Sequence, residues 1–119
     1  MPLIIHSANG DHRFTVEVAA TFEEQETGLM FRHSVGADKG MIFPYDPPAV
    51  ASFWMKNTLV PLDIIFIGVD HRIAYIANAK PMSLDPVSAG VPVTGVLELR
   101  GGRAAELGIK AGDLVSWTS

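Results

Sequence analysis

Alternation of apolar and polar residues near the start of the chain predicts a β-hairpin. Residues 3–6 form a short apolar run, and the following Asn9-Gly10 pair tolerates the positive φ angles that a tight turn requires. Over residues 13–20 the pattern has a period of two and includes β-branched residues, as is typical of a half-buried strand. The residues expected on its core face are Phe14, Val16, Val18 and Ala20.

Two short helices are predicted from the residues at their ends. Thr21 and Glu24 have the spacing of a capping box, so the first helix begins after Thr21 and is expected over residues 22–30. Acidic side chains in its first turns suit the positive end of the helix dipole. The second helix is expected over residues 102–107, because Gly108 follows it at a position where glycine commonly ends a helix.

The remaining apolar runs are short and are separated by proline and glycine, which is typical of strands joined by turns. The predicted strands cover residues 40–44, 51–57, 61–67, 73–77, 93–99 and 114–117. Pro44 is expected to end the first of them, and a loop rich in proline and glycine precedes residue 93. About eight strands and two short helices predict a mainly-β fold, a small barrel or sandwich.

Composition narrows the class of protein. The chain has 119 residues, 48% of them hydrophobic, which is typical of one domain with its own core, so we assign residues 1–119 to a single domain. Nine basic and 13 acidic side chains leave a net charge of −4, so we expect no nucleic-acid partner. No apolar run approaches the ~20 residues of a membrane span.

Motifs that carry chemistry are scarce. The chain has no cysteine, which excludes disulfides, thiolate metal sites and a cysteine nucleophile. The four histidines, at positions 6, 12, 33 and 71, lack the spacing of metal ligands, so we expect no metal and no cofactor. Neither a glycine-rich phosphate loop nor a common serine-nucleophile motif occurs, and no catalytic residue can be named.

Residues 53–63 are the most informative stretch, because polar residues there join two predicted strands. As an extended strand, the first part puts Met55 and Asn57 on one face. Asp63 falls in register with Ile65 on the next strand. If Met55 and Ile65 face the same core, Asn57 and Asp63 lie at its rim, either as a hydrogen-bonded clamp for the connecting loop or as the rim of a pocket.

Five segments in this order resemble the family called domain of unknown function 192, which comprises uncharacterised bacterial and archaeal proteins. The resemblance spans about residues 14–115. The segments are 28–32 (GLMFR), 40–43 (GMIF), 53–58 (FWMKNT), 61–66 (PLDIIF) and 96–99 (VLEL).

The resemblance implies a small, mostly-β, barrel-like fold and carries no established activity. Many members of the family have an export signal, so an extracytoplasmic, periplasmic location is expected if a leader has been removed, with a cytoplasmic location as the alternative. Met1 leads directly into an apolar run and then polar residues, so no signal peptide is expected within the given sequence.

The first functional hypothesis is a noncatalytic binding module for a small polar ligand, such as a carbohydrate. Trp54 would offer an apolar face for stacking, and the neighbouring polar side chains would supply hydrogen bonds and a cationic anchor. The candidate ligand-binding residues are Arg32, Trp54, Lys56, Asn57, Asp63 and Glu98.

The second hypothesis is an enzyme that uses two carboxylates as acid and base. A pair of acids close together, one of them with a strongly raised pKa, would distinguish this enzyme from a binding module. The candidate acids, which lie on or beside predicted strands, are Glu17, Asp63, Glu98 and Asp113.

The third hypothesis is a protein-interaction domain whose partner is unknown. An exposed apolar patch or a sheet edge would then meet another chain. The candidate residues of such a patch are Met30, Phe31, Met41 and Trp54.

Overall fold

A computed structural model describes residues 1–118 and confirms the mainly-β fold with two short helices. The helices are α1 (Phe22–Thr27) and α2 (Arg103–Leu107). The strands within the described residues are β1 (Pro2–Ser7), β2 (Gly10–Val18), β3 (Lys39–Phe53), β4 (Leu62–Gly68), β5 (Ile73–Ala79), β6 (Val87–Arg100) and β7 (Leu114–Trp117).

All seven strands belong to one curled sheet with the order β5-β4-β6-β3-β2-β1-β7. The β2–β3 pair is parallel, and the other neighbouring pairs are antiparallel. The curl brings the two edges together, because an isolated bridge joins Arg72, just before β5, to Leu114 of β7. The amide of Val115 also donates to the carbonyl of His71, at 2.8 Å. Partial closure of this kind leaves less of the sheet edge unpaired.

Both faces of the sheet are covered by apolar side chains. On β4, alternate side chains enter different clusters: Ile65 and Ile67 belong to the first core, and Ile64 and Phe66 to the second. The first core contains Leu3, Ile5, Phe14, Val16, Ile42, Ile65, Ile67, Ile73, Leu97, Leu99, Ala104, Ile109 and Val115. The second core contains Ala19, Leu29, Met41, Phe43, Ala51, Met55, Leu62, Ile64, Phe66, Ala77, Ala79, Val93 and Val96.

The predicted capping box is present, but α1 is shorter than expected. The amide of Glu24 donates to Thr21 Oγ1 at 3.1 Å, and the amide of Thr21 donates to Glu24 Oε1 at 3.0 Å. The helix ends at Thr27 because Gly28 adopts φ 51° and ψ −130°, which helical residues cannot adopt. The predicted end near residue 30 is therefore wrong, whereas Gly108 ends α2 as expected.

Two predicted strand boundaries are wrong, and both errors concern proline. β3 continues through Pro44 to Phe53, and β6 begins at Val87 rather than near residue 93. The two strands pair with each other along most of their length, with register shifts between Pro44 and Ala49 and between Val50 and Ser52. These irregularities accommodate the prolines, which lack an amide hydrogen. Pairing with a distant strand therefore prevails over the local tendency of proline to end a strand.

The predicted alternation on β2 fails at its end. Phe14 and Val16 are buried as expected, but Val18 and Ala20 are exposed while Ala19 is fully buried. The amide of Ala19 donates to the carbonyl of Ile42 at 2.9 Å, just where β2 ends. The change of direction after Val18 therefore reverses which residues face the core.

Over residues 1–118, no helix is long and apolar enough to cross a membrane.

Candidate functional site

Glu98 is an acidic side chain placed within the second core. It lies on β6 directly opposite Met41 of β3 and Ile64 of β4, and all three side chains are buried. Only 4% of Glu98 is exposed. Its cross-strand neighbours are apolar and have no side-chain group that could neutralise or hydrogen-bond a carboxylate.

The Glu98 carboxyl has an environment that disfavours its charge. No hydrogen bond from residues 1–118 reaches the carboxyl, and burial raises the pKa of Glu98 to about 8. Each fully buried side-chain oxygen and nitrogen in the same residues has a partner. The Glu98 oxygens must therefore remain in contact with solvent, and Glu98 lines a cleft beside α1.

This cavity, which we name the Glu98 cleft, has a volume of about 180 Å³. It lies between the end of α1, β3 with the segment that follows it, and β6. Its lining residues are Gln25, Glu26, Thr27, Gly28, Leu29, Met30, Phe43, Tyr45, Ser52, Phe53, Trp54, Thr58 and Glu98. A small concave site with aromatic walls and a few polar groups has the general features of a ligand-binding pocket.

Aromatic side chains form much of the wall of the cleft. The rings of Phe43 and Phe53 meet edge to face, with centroids 5.0 Å apart. Tyr45 is half-buried, and burial together with the negative charge of an ionised Glu98 raises the pKa of its hydroxyl. Phe53 also contacts Phe66 of the second core, so one wall is anchored in the body of the fold.

Gly28 lets α1 approach the cleft closely. A Cβ atom at this position would lie 3.4 Å from Cζ of Phe43 and 3.8 Å from Oε1 of Glu98. The amide of Gly28 donates to the carbonyl of Glu24 at 2.8 Å and so holds the helix end in place. Any other side chain here would need an unfavourable backbone angle, and its Cβ would be in van der Waals contact with Phe43 and Glu98.

Trp54, Lys56 and Asn57, three of the predicted site residues, lie at or beside the mouth of the cleft. β3 ends at Phe53, so the expected strand geometry for residues 53–57 is wrong, although Trp54 and Lys56 are exposed and Met55 is buried as that geometry required. The Lys56 ammonium lies 5.2 Å from the centre of the Trp54 ring. Asn57 lines an adjoining hollow of about 240 Å³ with Trp54 and Lys56.

Arg32 lies away from the cleft and is paired with another residue. Its guanidinium donates to both carboxylate oxygens of Glu17, at 2.6 and 3.0 Å. Both residues line an open groove of about 590 Å³ beside β2. This groove is larger than the Glu98 cleft, but Arg32 and Glu17 satisfy each other there, and none of the buried polar residues Thr58, Asp63 and Glu98 lines it. We therefore favour the smaller Glu98 cleft.

Asp63 lies on the opposite face of the sheet from Glu98 and is fully buried. Its two carboxylate oxygens accept hydrogen bonds from the amides of Gly102 at 3.0 Å and Ala104 at 2.9 Å, which fastens the start of α2 to β4. The expected rim position is wrong, because Met55 belongs to the second core and Ile65 to the first. Asp63 is therefore a clamp for α2 rather than a neighbour of Asn57.

Sequence reasoning missed the residues that give the cleft its shape, chiefly Phe43, Tyr45 and Gly28. Phe43 and Tyr45 alternate along β3 on the side facing Glu98, and a reading that continued the strand past Pro44 would have grouped them. For Gly28, no local signal indicated proximity to Glu98. Within residues 1–118, no three His, Cys, Asp or Glu side chains are grouped so that they could hold a metal ion.

Two solved structures are similar to this fold over nearly the whole chain. A protein of unknown function from Novosphingobium aromaticivorans DSM 12444 is 50% identical, with a TM-score of 0.95 over 98% of this chain and 84% of that one. A protein from Sinorhizobium meliloti 1021, described as a "putative transcription regulator", is 38% identical, with a TM-score of 0.92 over 97% of this chain and 91% of that one.

No curated protein shows significant sequence similarity to the chain. The family resemblance stated from the five sequence segments is confirmed, because the sequence profile of DUF192, described as "Uncharacterized ACR", matches residues 4–117. The chain therefore belongs to the DUF192 family.

Proposed function

We propose that the chain is a noncatalytic binding module whose small polar ligand occupies the Glu98 cleft. The observation that carries this proposal is the Glu98 carboxyl, which is buried without a protein hydrogen-bond partner and opens into an aromatic-walled cavity. A buried polar group without a partner is unfavourable for stability, and such groups concentrate at functional sites. A ligand would supply the missing partner.

The dimensions of the cleft set the size of the ligand. A volume of about 180 Å³ corresponds to roughly six water molecules at about 30 Å³ each. That volume suits one small ring or a short side-chain-like group rather than a polymer. Trp54 is 48% exposed, and because Lys56 lies over its ring, we expect a ligand such as a sugar to stack on the other face.

The geometry does not favour the carboxylate-pair enzyme. Glu98 has the raised pKa that such an enzyme needs, but burial is its single cause, and Glu26, the other acid that lines the cleft, is exposed on α1. The other three candidate acids have their own partners: Glu17 accepts from Arg32, Asp63 accepts from the backbone of α2, and Asp113 accepts from Ser7 at 2.6 Å.

The protein-interaction hypothesis also loses part of its basis. Met41 is buried and cannot belong to an exposed patch, although Phe31 is 63% exposed.

A nucleic-acid partner would be considered because the Sinorhizobium meliloti protein is described as a putative transcription regulator. The net charge of −4 and the absence of lysine and arginine from the lining of the Glu98 cleft argue against that role here.

The test is a ligand screen that reports on the cleft itself. Because the chain has two tryptophans, Trp117→Phe leaves Trp54 as the only fluorescent indole. We expect a compound from a panel of sugars, nucleosides, organic acids and amines to raise the melting temperature and to change Trp54 fluorescence. Trp54→Ala and Glu98→Leu should each abolish the thermal shift.

The matched control is Glu17→Gln, which alters the open groove beside β2 and leaves the cleft intact. Compounds that stabilise the wild type should stabilise this variant equally. If every hit binds Trp54→Ala and Glu98→Leu as tightly as the wild type, the binding site lies elsewhere. If no compound of any class binds, the proposed function is wrong.

A further inference from the structure

The carboxyl groups that line the Glu98 cleft can carry only negative charge. They are Glu98 at its base and Glu26 on the exposed side of α1, and no lysine or arginine lines the cleft within residues 1–118. Carboxylates accept hydrogen bonds and attract positive charge. A bound cation favours the ionised form of Glu98, whereas a negative group would be repelled by Glu26 and by any ionised Glu98, so the acids of the cleft favour a cation.

The donors of the cleft are already partly engaged. The amide nitrogen of Gln25 donates to the carbonyls of Ala19 at 3.0 Å and Pro44 at 3.3 Å. The hydroxyl of Thr58 donates to the carbonyl of Lys56 at 3.2 Å. These bonds hold α1 and the segment after β3 in place, so the side-chain donors of Gln25 and Thr58 are directed at backbone carbonyls. The Glu98 carboxyl receives no hydrogen bond from residues 1–118, so a positively charged or donating ligand would supply the partner that it lacks.

The aromatic walls add a second attraction for positive charge. The faces of aromatic rings carry negative partial charge, and ammonium groups bind to them, with quaternary ammonium ions held in aromatic cages as the best-known example. Trp54 already makes one such contact, since the Lys56 ammonium lies 5.2 Å from its ring centre. The aromatic residues lining the cleft are Phe43, Tyr45, Phe53 and Trp54.

From these three observations we infer that the ligand of the Glu98 cleft is a small organic ammonium ion, held by the Glu98 carboxylate and the surrounding aromatic rings. The inference rests on the proposed function and names the ligand class. A cavity of about 180 Å³ accommodates a group the size of an alkylated ammonium head. Aromatic walls distinguish this site from one for a metal ion, which requires several oxygen ligands.

Binding of the cation changes the protonation of Glu98. In the free protein at neutral pH the carboxyl is mostly protonated, because burial raises its pKa to about 8. A bound ammonium ion favours the ionised form, so one proton leaves Glu98 for solvent as the cation enters. The other titratable groups lining the cleft are Tyr45 from β3 and Glu26 from α1. The neighbour on β4 is Ile64, and Lys56 lies outside over Trp54.

The experiment compares choline, which is charged at every pH, with its uncharged isostere 3,3-dimethylbutan-1-ol. Both are titrated into the Trp117→Phe protein at constant ionic strength, with Trp54 fluorescence as the readout. We expect choline to bind at least tenfold more tightly than the isostere. Its affinity should rise roughly thirtyfold between about pH 6.5 and about pH 9, since the ionised fraction of Glu98 rises by that factor.

Calorimetry gives a second readout that does not depend on a variant. Choline binding at pH 7 in two buffers of different ionisation enthalpy should release about one proton. Glu98→Gln should lower choline affinity at least tenfold and remove its pH dependence. The matched control is Glu106→Gln, whose carboxylate forms an exposed ion pair with Arg100 on another part of the surface. This control should bind choline as the wild type does.

Three results would overturn the inference: equal binding of choline and its isostere, an affinity that does not change with pH, or binding without proton release. If a neutral sugar binds the wild type but not Trp54→Ala, and choline does not bind, the proposed function stands and the ammonium inference is wrong. If no probe of any class binds, both are wrong.

Discussion

Asp63 and Glu98 are two buried carboxyl groups on adjacent strands of one sheet, and their surroundings differ completely. Asp63 lies on the face of the first core, where two amides at the start of α2 donate to its oxygens. Glu98 lies on the face of the second core, opposite Met41 and Ile64, and receives no hydrogen bond from residues 1–118. Burial alone therefore does not distinguish the structural acid from the candidate site.

The difference shows that hydrogen bonds to the carboxyl oxygens, rather than burial, distinguish a structural acid from a candidate site residue. Backbone amides that donate to a carboxylate offset the unfavourable removal of its charge from water and hold a helix in place. Glu98 has no such compensation from the protein and instead faces a cavity. The hydrogen-bonded Asp63 stabilises the fold, whereas the Glu98 carboxyl can accept a hydrogen bond from a ligand in the cleft.

The largest expected effect is the pH dependence of stability at Glu98. Below about pH 4.5 the carboxyl is protonated in both the folded and the unfolded state, and between about pH 4.5 and 8 only the unfolded state ionises. The unfolded state then binds fewer protons, so the free energy of unfolding falls as pH rises, by about 4–5 kcal/mol in total. Above about pH 8 both states are ionised and the loss is constant.

Urea denaturation at a series of pH values checks this prediction. The fall in the free energy of unfolding between about pH 4.5 and 8 should be much smaller in Glu98→Gln, which cannot ionise. Glu106→Gln serves as the control and should follow the wild type. If the curves of the wild type and Glu98→Gln are parallel, Glu98 is not held protonated, and the contrast with Asp63 disappears.

The second effect concerns the satisfied acid. Asp63→Asn replaces one of two acceptor oxygens with a donor that faces a backbone amide, so the free energy of unfolding should fall by about 3 kcal/mol. The control is Asp38→Asn, which removes an exposed ion pair to Arg103 of the same helix and should change stability by under about 1 kcal/mol. Equal effects of the two variants in urea denaturation would show that Asp63 is not a clamp.

The third effect tests the approach of α1 to Glu98. Gly28→Ala should destabilise by about 1–3 kcal/mol, because Gly28 has φ 51° and ψ −130°. It should also weaken ligand binding, since the new methyl group lies near Phe43 and Glu98. Gly90→Ala is the matched control, with φ 71° and no atom within 4 Å of the added methyl. Thermal unfolding of both variants measures the cost of the backbone angle, and ligand titration measures the effect of the added methyl group on binding. If Gly28→Ala and Gly90→Ala bind the ligand equally well, the ligand lies away from Gly28.

The smallest effect is expected for an acid that is paired but exposed. The hydrogen bond from Arg32 lowers the pKa of Glu17, so this pair stabilises the fold at neutral pH and the contribution is lost as pH falls. Both side chains are exposed to water, and Glu17→Gln should therefore cost about 0.5 kcal/mol at most in urea denaturation. If Glu17→Gln lowered the free energy of unfolding as much as Asp63→Asn, an exposed ion pair would contribute as much as a buried, hydrogen-bonded acid, contrary to this expectation.

Local patterns in the sequence predicted the elements that depend on nearby residues. The β1–β2 hairpin, the capping box of Thr21 and Glu24, and the helix end at Gly108 all follow from contacts within a few positions. The continuous strand β3 did not, because its path through Pro44 depends on pairing with β6, some fifty residues away in sequence. The residues near Pro44 do not indicate that a distant strand supplies hydrogen bonds on both sides of this proline.

The candidate site divides in the same way. The sequence alone determined the family, the mainly-β class, and Trp54 and Glu98 as residues to examine. Only the tertiary structure decided that these two line one cleft with Tyr45, and that Asp63 faces the other way to hold α2. The physical reason is the sheet itself. Alternation assigns each side chain to one of two faces, but the curl and pairing of the strands decide what covers each face and which buried acid finds a partner.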